Sequence, residues 1–393
     1  MATFKTISSD DIKETTSVLN QLVDFVEEDI SGSNTRKKFQ VFVTSSGTNA
    51  ITSSLFQTVY DQNYTLQTAN ELFDTTMGLY YDSTTVTGAR TGIDANGKYL
   101  FPSESLMMRE KISIYKQFSQ LLLGDSNARF TAPFSNATAG TDEINEALFV
   151  SFKRLFVRDG IKRETFAIKM FQSSSDDSVD NINVHSPAQP PTGSVIFTDV
   201  GSSTSVERSA TGGDVGNIVN AANTAETVGL MFYQQGIAIF DMKKAFNANQ
   251  VMMGTVNSVG AHASTAISAS FIPDFVTSAS IDQVLDHVAE TRFGSGSNTV
   301  MTFQNNTKIN STLYFCRATA DEFNFSTNPS YTNSEGRIRV IDTGQEDIEK
   351  SFAFVSTVGL YDANEELLAV AKLSRPVEKN DEKDLTFRVR LDF

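Results

Sequence analysis

The chain has one cysteine and no tryptophan in 393 residues. A single thiol, Cys316, excludes an intramolecular disulfide framework and a cysteine-built metal site. It lies in a strand-like run, Thr312 to Arg317, where a lone cysteine reads as a small buried hydrophobe. A nucleophilic thiol wants a histidine beside it, and none of the three histidines is close in sequence. Basic charge is also short. Against 47 Asp and Glu stand 32 Lys and Arg, a net charge of −15. That balance argues against gripping a phosphate backbone and keeps a free subunit soluble. Long apolar runs are missing too. The most apolar stretch, Val228 to Phe240, is broken by Gln234 and Gln235 and is too short to span a bilayer. The N-terminus Met-Ala-Thr-Phe-Lys carries no secretory core segment, so synthesis in a cytoplasm is expected. The Asn-x-Thr matches at Asn63, Asn136, Asn305 and Asn310 are then chance.

Linear catalytic signatures are lacking as well: no nucleophile elbow, no phosphate-binding glycine loop before a lysine, no His-Glu-x-x-His. His185 lies in a polar linker, His262 in a Gly, Ala and Ser-rich stretch, and His287 has Glu290 three residues on; each reads as a surface histidine. Asp94-Ala-Asn-Gly97 begins like a calcium loop, but Lys98 breaks the ligand pattern, leaving a hairpin turn. Gly212-Gly213-Asp214-Val215-Gly216 reads as a loop. The acidic groups Asp176, Asp177, Asp180 and Asp381, Glu382, Asp384 sit in polar surroundings without the tuning that acid–base catalysis requires. The expectation is a non-enzymatic chain with no cofactor, no metal, no nucleic-acid partner and no membrane insertion.

What is present is Phe, with 30 copies, which supplies most of the aromatic packing. Ile12, Thr16, Leu19, Val23, Val26 and Ile30 step by four and three, which predicts an N-terminal helix over 1–34, started at Asp10 and Asp11 and ended by Ser31-Gly32. It packs either on its own domain or against another subunit. An α+β domain is expected over 35–172. It holds a strand at Phe39–Thr44, a helix from Ser103 to Leu123 stopped by Gly124, and a second helix from about Thr141 carrying Ile144, Leu148, Phe152, Leu155 and Phe156. A strand follows at Glu164–Gln172. Lys153, Arg154, Arg158, Lys162 and Arg163 form a basic cluster that is either a solvated face or a patch for an acidic neighbour. Residues 173–193, polar and ending in Pro187, Pro190 and Pro191, read as a linker.

Residues 194–393 read as β-rich. Strands are expected at Ser194–Val200, Thr227–Tyr233, Gly236–Phe240, Thr299–Gln304, Ile309–Ala318, Arg337–Ile341, Ser351–Tyr361 and Leu367–Leu373. One helix interrupts, with Ser280 and Gln283 as its capping box and Ile281, Val284, Leu285 and Val288 as its buried stripe. The final strand alternates, with Leu385, Phe387, Val389, Leu391 and Phe393 on one side and Thr386, Arg388, Arg390 and Asp392 on the other. The fold class expected is α+β, a helical N-terminal part followed by a mainly antiparallel, sandwich-like β part.

Three segments carry a family resemblance. Val358-Gly-Leu-Tyr-Asp-Ala-Asn364 with Leu367 to Pro376 and Phe387 to Phe393, the run Thr319 to Tyr331, and Ser54 to Gln62 with Asn70 to Asp74 resemble virion structural proteins of T-even-like contractile-tailed phages, those of marine cyanobacteria above all. The resemblance implies a virion part of the tail, baseplate or neck, present in several copies, with other phage virion proteins and copies of itself as partners. A neck, collar or head-vertex position is an alternative. A host-glycan-binding module or depolymerase is a further one, disfavoured by the absence of tryptophan platforms and of a paired-carboxylate motif. The residues expected to make contacts are Ile12, Leu19, Val23 and Val26 on the helix, Arg154, Arg158, Lys162 and Arg163 in the basic cluster, and Phe387, Val389, Leu391 and Phe393 on the last strand, which is suited to strand addition.

Overall fold

The computed structural model describes residues 4–26, 37–43, 51–61, 66–80, 106–139, 141–173, 192–204, 206–245, 250–252, 267–269, 281, 284–285, 288, 299–326, 328–342, 344–345, 348 and 351–393. The proposed linker therefore lies almost wholly outside the described residues. So do His185, His262, His287, the Asp94–Gly97 turn and the acidic group at Asp176, Asp177 and Asp180.

The described residues are mostly antiparallel β, 52% strand and 12% helix. In order, it forms β1 (Ile12–Val26), β2 (Lys37–Val43), β3 (Ile51–Tyr60), β4 (Glu71–Leu79), α1 (Leu106–Leu123), β5 (Glu146–Phe152), α2 (Arg154–Val157), β6 (Gly160–Ile161), β7 (Ala167–Ser173), β8 (Thr192–Thr198), β9 (Glu207–Ser209), β10 (Gly213–Asn220), β11 (Asn223–Phe232), β12 (Ile237–Asp241), α3 (Met242–Ala245), β13 (Gln250–Met252), β14 (Ile267–Ala269), β15 (Thr299–Ala318), β16 (Phe352–Tyr361), β17 (Leu367–Asn380) and β18 (Leu385–Asp392). Ile281, Val284, Leu285 and Val288 are helical and fully buried, as their spacing predicts.

The α+β expectation is overturned at the N-terminus. Residues 12–26 form a strand, not a helix. The four-three spacing of apolar residues is real, but the segment is rich in β-branched Ile12, Thr15, Thr16, Val18 and Val23, whose side chains fit a pleat better than a helical turn. Partners on β15 then decide: Thr16 Oγ1 reaches Asn310 Oδ1 at 3.1 Å, and the Gln21 N–H donates to Asn305 Oδ1 at 3.2 Å. The helix expected from Thr141 is also absent. Ala147 to Val150 is a continuous apolar run buried on both faces, the mark of a central strand, and β5 lies between β12 and β4. Only Arg154–Val157 at its end is helical. The segment Arg337–Ile341 is turn, with one bridge from Ile338 to Thr332. The two strands expected at Thr299–Gln304 and Ile309–Ala318 are one continuous strand.

The chain divides into two units. A central unit holds Asn20–Thr307, and a terminal unit holds Met1–Leu19 with Lys308–Phe393. In the central unit the strands follow the order β15-β7-β8-β10-β11-β12-β5-β4-β3-β2, one continuous sheet rather than the expected sandwich. Five strands separate β15 from β5 in that order. Yet the rings of Phe303 on β15 and Phe152 on β5 lie 5.1 Å apart, so the sheet coils on itself. Phe25 sits in this closure, within 6.2 Å of Phe73, Phe152 and Phe303. Phenylalanine fills the closure as an apolar body with no polar atom to satisfy. On the opposite face α1 packs across β4 and β5. Phe118 stacks on Phe149 at 4.0 Å, and the Tyr115 hydroxyl donates to Ile144 O at 2.7 Å while accepting the Phe130 N–H at 2.9 Å. Gly78 permits the approach, since a Cβ there would meet the Tyr115 backbone at 2.9 Å.

Candidate functional site

The terminal unit contains two β elements. β18 pairs antiparallel with β15 from Ser311↔Asp392 to Ala318↔Leu385. The first part of β1 lies along the other edge of β15, where Thr15 Oγ1 meets Ser311 O at 3.5 Å. The second element is a hairpin, β16 with β17, which among the described residues forms a sheet of these two strands. Its tip is set by Asp362, whose Oδ1 accepts the N–H groups of Asn364 and Glu366, each at 2.8 Å, while Glu365 takes a left-handed φ of 64°.

The base of the hairpin is held by Lys379. This ammonium is fully buried and donates to Asn324 Oδ1 at 2.7 Å, Asn380 O at 2.8 Å and Ala320 O at 3.2 Å. Tyr331 adds a second clamp: its hydroxyl donates to Phe352 O, and its ring meets Phe325 edge-on at 5.0 Å. The segment Thr319–Tyr331 is thus the platform that carries β16 and β17. Lys379→Met keeps the methylene packing but strips three acceptors of their donor. It is expected to cost the terminal unit about 2 kcal/mol. Hydrogen exchange should speed up along β16 and β17 and stay unchanged in the central unit; unaltered protection in the hairpin would refute this role for Lys379.

Outward, the hairpin is apolar. Leu368 is 69% exposed, Phe354 61%, Val370 58% and Leu367 53%. A two-stranded hairpin is marginal in water by itself, and large apolar side chains left in water are the kind that a partner covers.

The residues singled out in the sequence are distributed as follows. Ile12 and Leu19 are exposed on β1, and Val23 is half-buried against the central core. Val26 ends the strand; Ile12 projects from one face of it and Leu19 and Val23 from the other, so these three do not make one seam. Lys153, at the head of the basic cluster, is paired with Asp74 at 2.8 Å and Glu71 at 2.9 Å. Arg154 is exposed and lies 3.5 Å from Asp159, Arg158 occupies a turn at φ 59°, and Lys162 donates to Gln304 Oε1 at 3.1 Å. Arg163 turns inward, its guanidinium 4.8 Å over the Tyr233 ring and donating to Ser202 O at 2.8 Å. Phe387, Val389 and Leu391 share a face opposite Cys316, Tyr314 and Thr312. Phe393 is 76% exposed at the strand end, exchanging backbone hydrogen bonds with Asn310. Cys316 itself is half-buried, and desolvation pushes its thiol above the ordinary value.

Two buried polar groups have no signal in the sequence. Asp199, after β8, is fully buried and accepts from the Glu164 N–H at 2.7 Å, the Tyr233 hydroxyl at 2.8 Å and the Phe166 N–H at 3.0 Å. Burial raises its carboxyl above the usual range against the pull of those donors. Asp241, closing β12, is buried close to Glu146 on β5. Both aspartates are sealed from solvent, and Asp199 ties separate strands together. Among the described residues no group of His, Cys, Asp and Glu is placed to hold a metal ion, and no helix is long and apolar enough to cross a membrane.

Comparison with protein-family models, curated proteins and solved structures finds no match to this chain.

Proposed function

We propose that this chain is a non-enzymatic structural subunit of a tailed-phage particle, seated in the tail or baseplate and held to its neighbours through the terminal unit. The observation that carries the reading is the hairpin of β16 and β17: two strands with no third among the described residues, apolar side chains facing water, and a buried lysine anchoring the base. A surface of that kind gains stability when another chain covers it or adds a strand. The segments that resemble contractile-tail virion proteins, Val358–Asn364, Leu367–Pro376 and Phe387–Phe393, fall on this hairpin and on β18. The net charge of −15 keeps the free subunit dispersed until assembly. Its partners in this reading are copies of itself and other virion proteins.

Immunogold labelling tests it, with antibody against the chain applied to purified particles of the phage whose genome carries it. Gold at the tail tip is the expected result. Gold at the head–tail junction would move the subunit to the neck. An absence of label from intact and disrupted particles alike would overturn the proposal.

A further inference from the structure

Open strand edges recruit other strands, and proteins blunt the ones they do not use with charges or proline. The strands that bound the two β elements of the terminal unit differ in this respect. β1 carries Lys13 and Glu14, and β18 carries Arg388, Arg390 and Asp392. β17 carries Lys372, Arg375 and Glu378, and Pro376 falls at the irregularity in its pairing, between Val355↔Val377 and Thr357↔Lys372. β16, Phe-Ala-Phe-Val-Ser-Thr-Val-Gly-Leu-Tyr, has no charged residue and no proline over ten residues. One of its edges bonds to β17, and no other described strand pairs with it. Phe354, Ser356, Thr357, Gly359 and Tyr361 are exposed along it.

We infer that the open edge of β16 docks β16 of a second copy of the chain, antiparallel, giving a four-stranded sheet in the order β17-β16-β16-β17. The inference rests on the reading of the chain as an assembly subunit and names its first contact. Charge selects both the occupant and the direction. The incoming strand must be uncharged, apolar and about as long as β16, and among the described residues the terminal unit holds one such open strand, β16 itself. The hairpin tip carries Asp362, Glu365 and Glu366. Parallel pairing would set two such acidic tips side by side. Antiparallel pairing sends each tip to the base of the other copy, where the turn that clamps Phe352 presents Arg339. That guanidinium is exposed, donates through Nε to Thr332 O at 3.0 Å and has no carboxylate partner among the described residues. The contact is isologous and closes on itself, so it makes a dimer and not an open fibre.

Sedimentation of the full chain over a range of concentrations tests this. The wild type should shift reversibly from monomer to dimer. Ser356→Lys, which places a charge in the middle of the open edge without touching a register pair with β17, should weaken dimerisation at least tenfold. Arg339→Glu should weaken it in low salt and much less in high salt, as a screened surface pair does. Circular dichroism identical to wild type shows that each variant is folded. A wild type that stays monomeric at every concentration, or a dimer indifferent to Ser356→Lys, overturns the inference. A monomer that nonetheless labels on particles sinks this docking and leaves the particle reading intact, whereas a dimer missing from particles does the reverse.

Discussion

Asp241→Asn is expected to stabilise the central unit by up to about 4 kcal/mol at pH 8 and to change it little at pH 4. Asp241 is 2% exposed at the end of β12, and its Oδ1 accepts the Lys243 N–H at 3.0 Å. Burial first, and then the charge of Glu146, push its carboxyl up to about 7; the Lys243 N–H and the charges of Lys244 and Lys243 pull the other way without winning. In the unfolded chain the same carboxyl titrates near 4. Between those two values the native state holds more protons than the unfolded one, so stability falls as pH rises from about 4 to about 7 and is level outside that window for this group. Roughly three pH units at about 1.4 kcal/mol each give the ceiling on the effect. Asparagine keeps the acceptor for the Lys243 N–H and removes the charge. Lys111 on α1 works in the opposite sense. It is fully buried, and desolvation lowers its ammonium to about 7, so stability rises as pH climbs from about 7 toward 10. Urea midpoints measured across this range should show the acid-side slope in the wild type and its loss in Asp241→Asn, with the rise above pH 7 kept by both. The same acid-side slope in both proteins would remove Asp241 as its source.

What the sequence revealed follows from how far apart the interacting residues lie. α1 was legible because its apolar stripe, its start signal at Ser103 and Gly124 are all local. β18 was legible because alternation survives wherever one face of a strand packs and the other is wet. β1 and β5 were misread for two different reasons. In β1 the helical spacing of Ile12, Leu19, Val23 and Val26 is coincidental, and its hydrogen-bond partners on β15 lie 284 and 294 residues away. In β5 both faces are buried, so Ala147 to Val150 shows no period, and a short unbroken apolar run suits a buried helix as well as a strand. The buried polar groups were illegible on the same grounds. Lys379 stands in a polar, charged stretch and reads as a surface lysine; its acceptors at Asn324 and Ala320 are 55 and 59 residues back along the chain. The hairpin strands themselves were foreseen, but their exposure was not, because an apolar strand facing water has the same pattern as one facing a core.

The second large effect is expected at Asp199. Asp199→Ala should lower the stability of the central unit by about 3–5 kcal/mol, since it leaves three donors, the buried Phe166 N–H and Tyr233 hydroxyl among them, without their acceptor. The carboxylate joins three pieces of the sheet that sequence does not bring together. Its Oδ2 holds the Glu164 N–H and the Tyr233 hydroxyl, and its Oδ1 holds the Phe166 N–H, so the turn ahead of β7, the end of β8 and the end of β11 meet at one side chain. Glu164 sits there at a left-handed φ of 59°, a conformation the two backbone bonds help to hold. Tyr233 in turn lies under the Arg163 guanidinium, and Gly216 leaves room for its hydroxyl, which a Cβ would meet at 2.2 Å. Asp199→Asn is the sharper test. It preserves shape and one oxygen, but its NH2 group faces donors, so a loss of roughly half the alanine effect is expected. Hydrogen exchange reports the protection of β7, β8 and β11. If both variants keep wild-type protection in those three strands, the carboxylate is not what joins them; if alanine is severe and asparagine is silent, shape at position 199 matters and the charge does not.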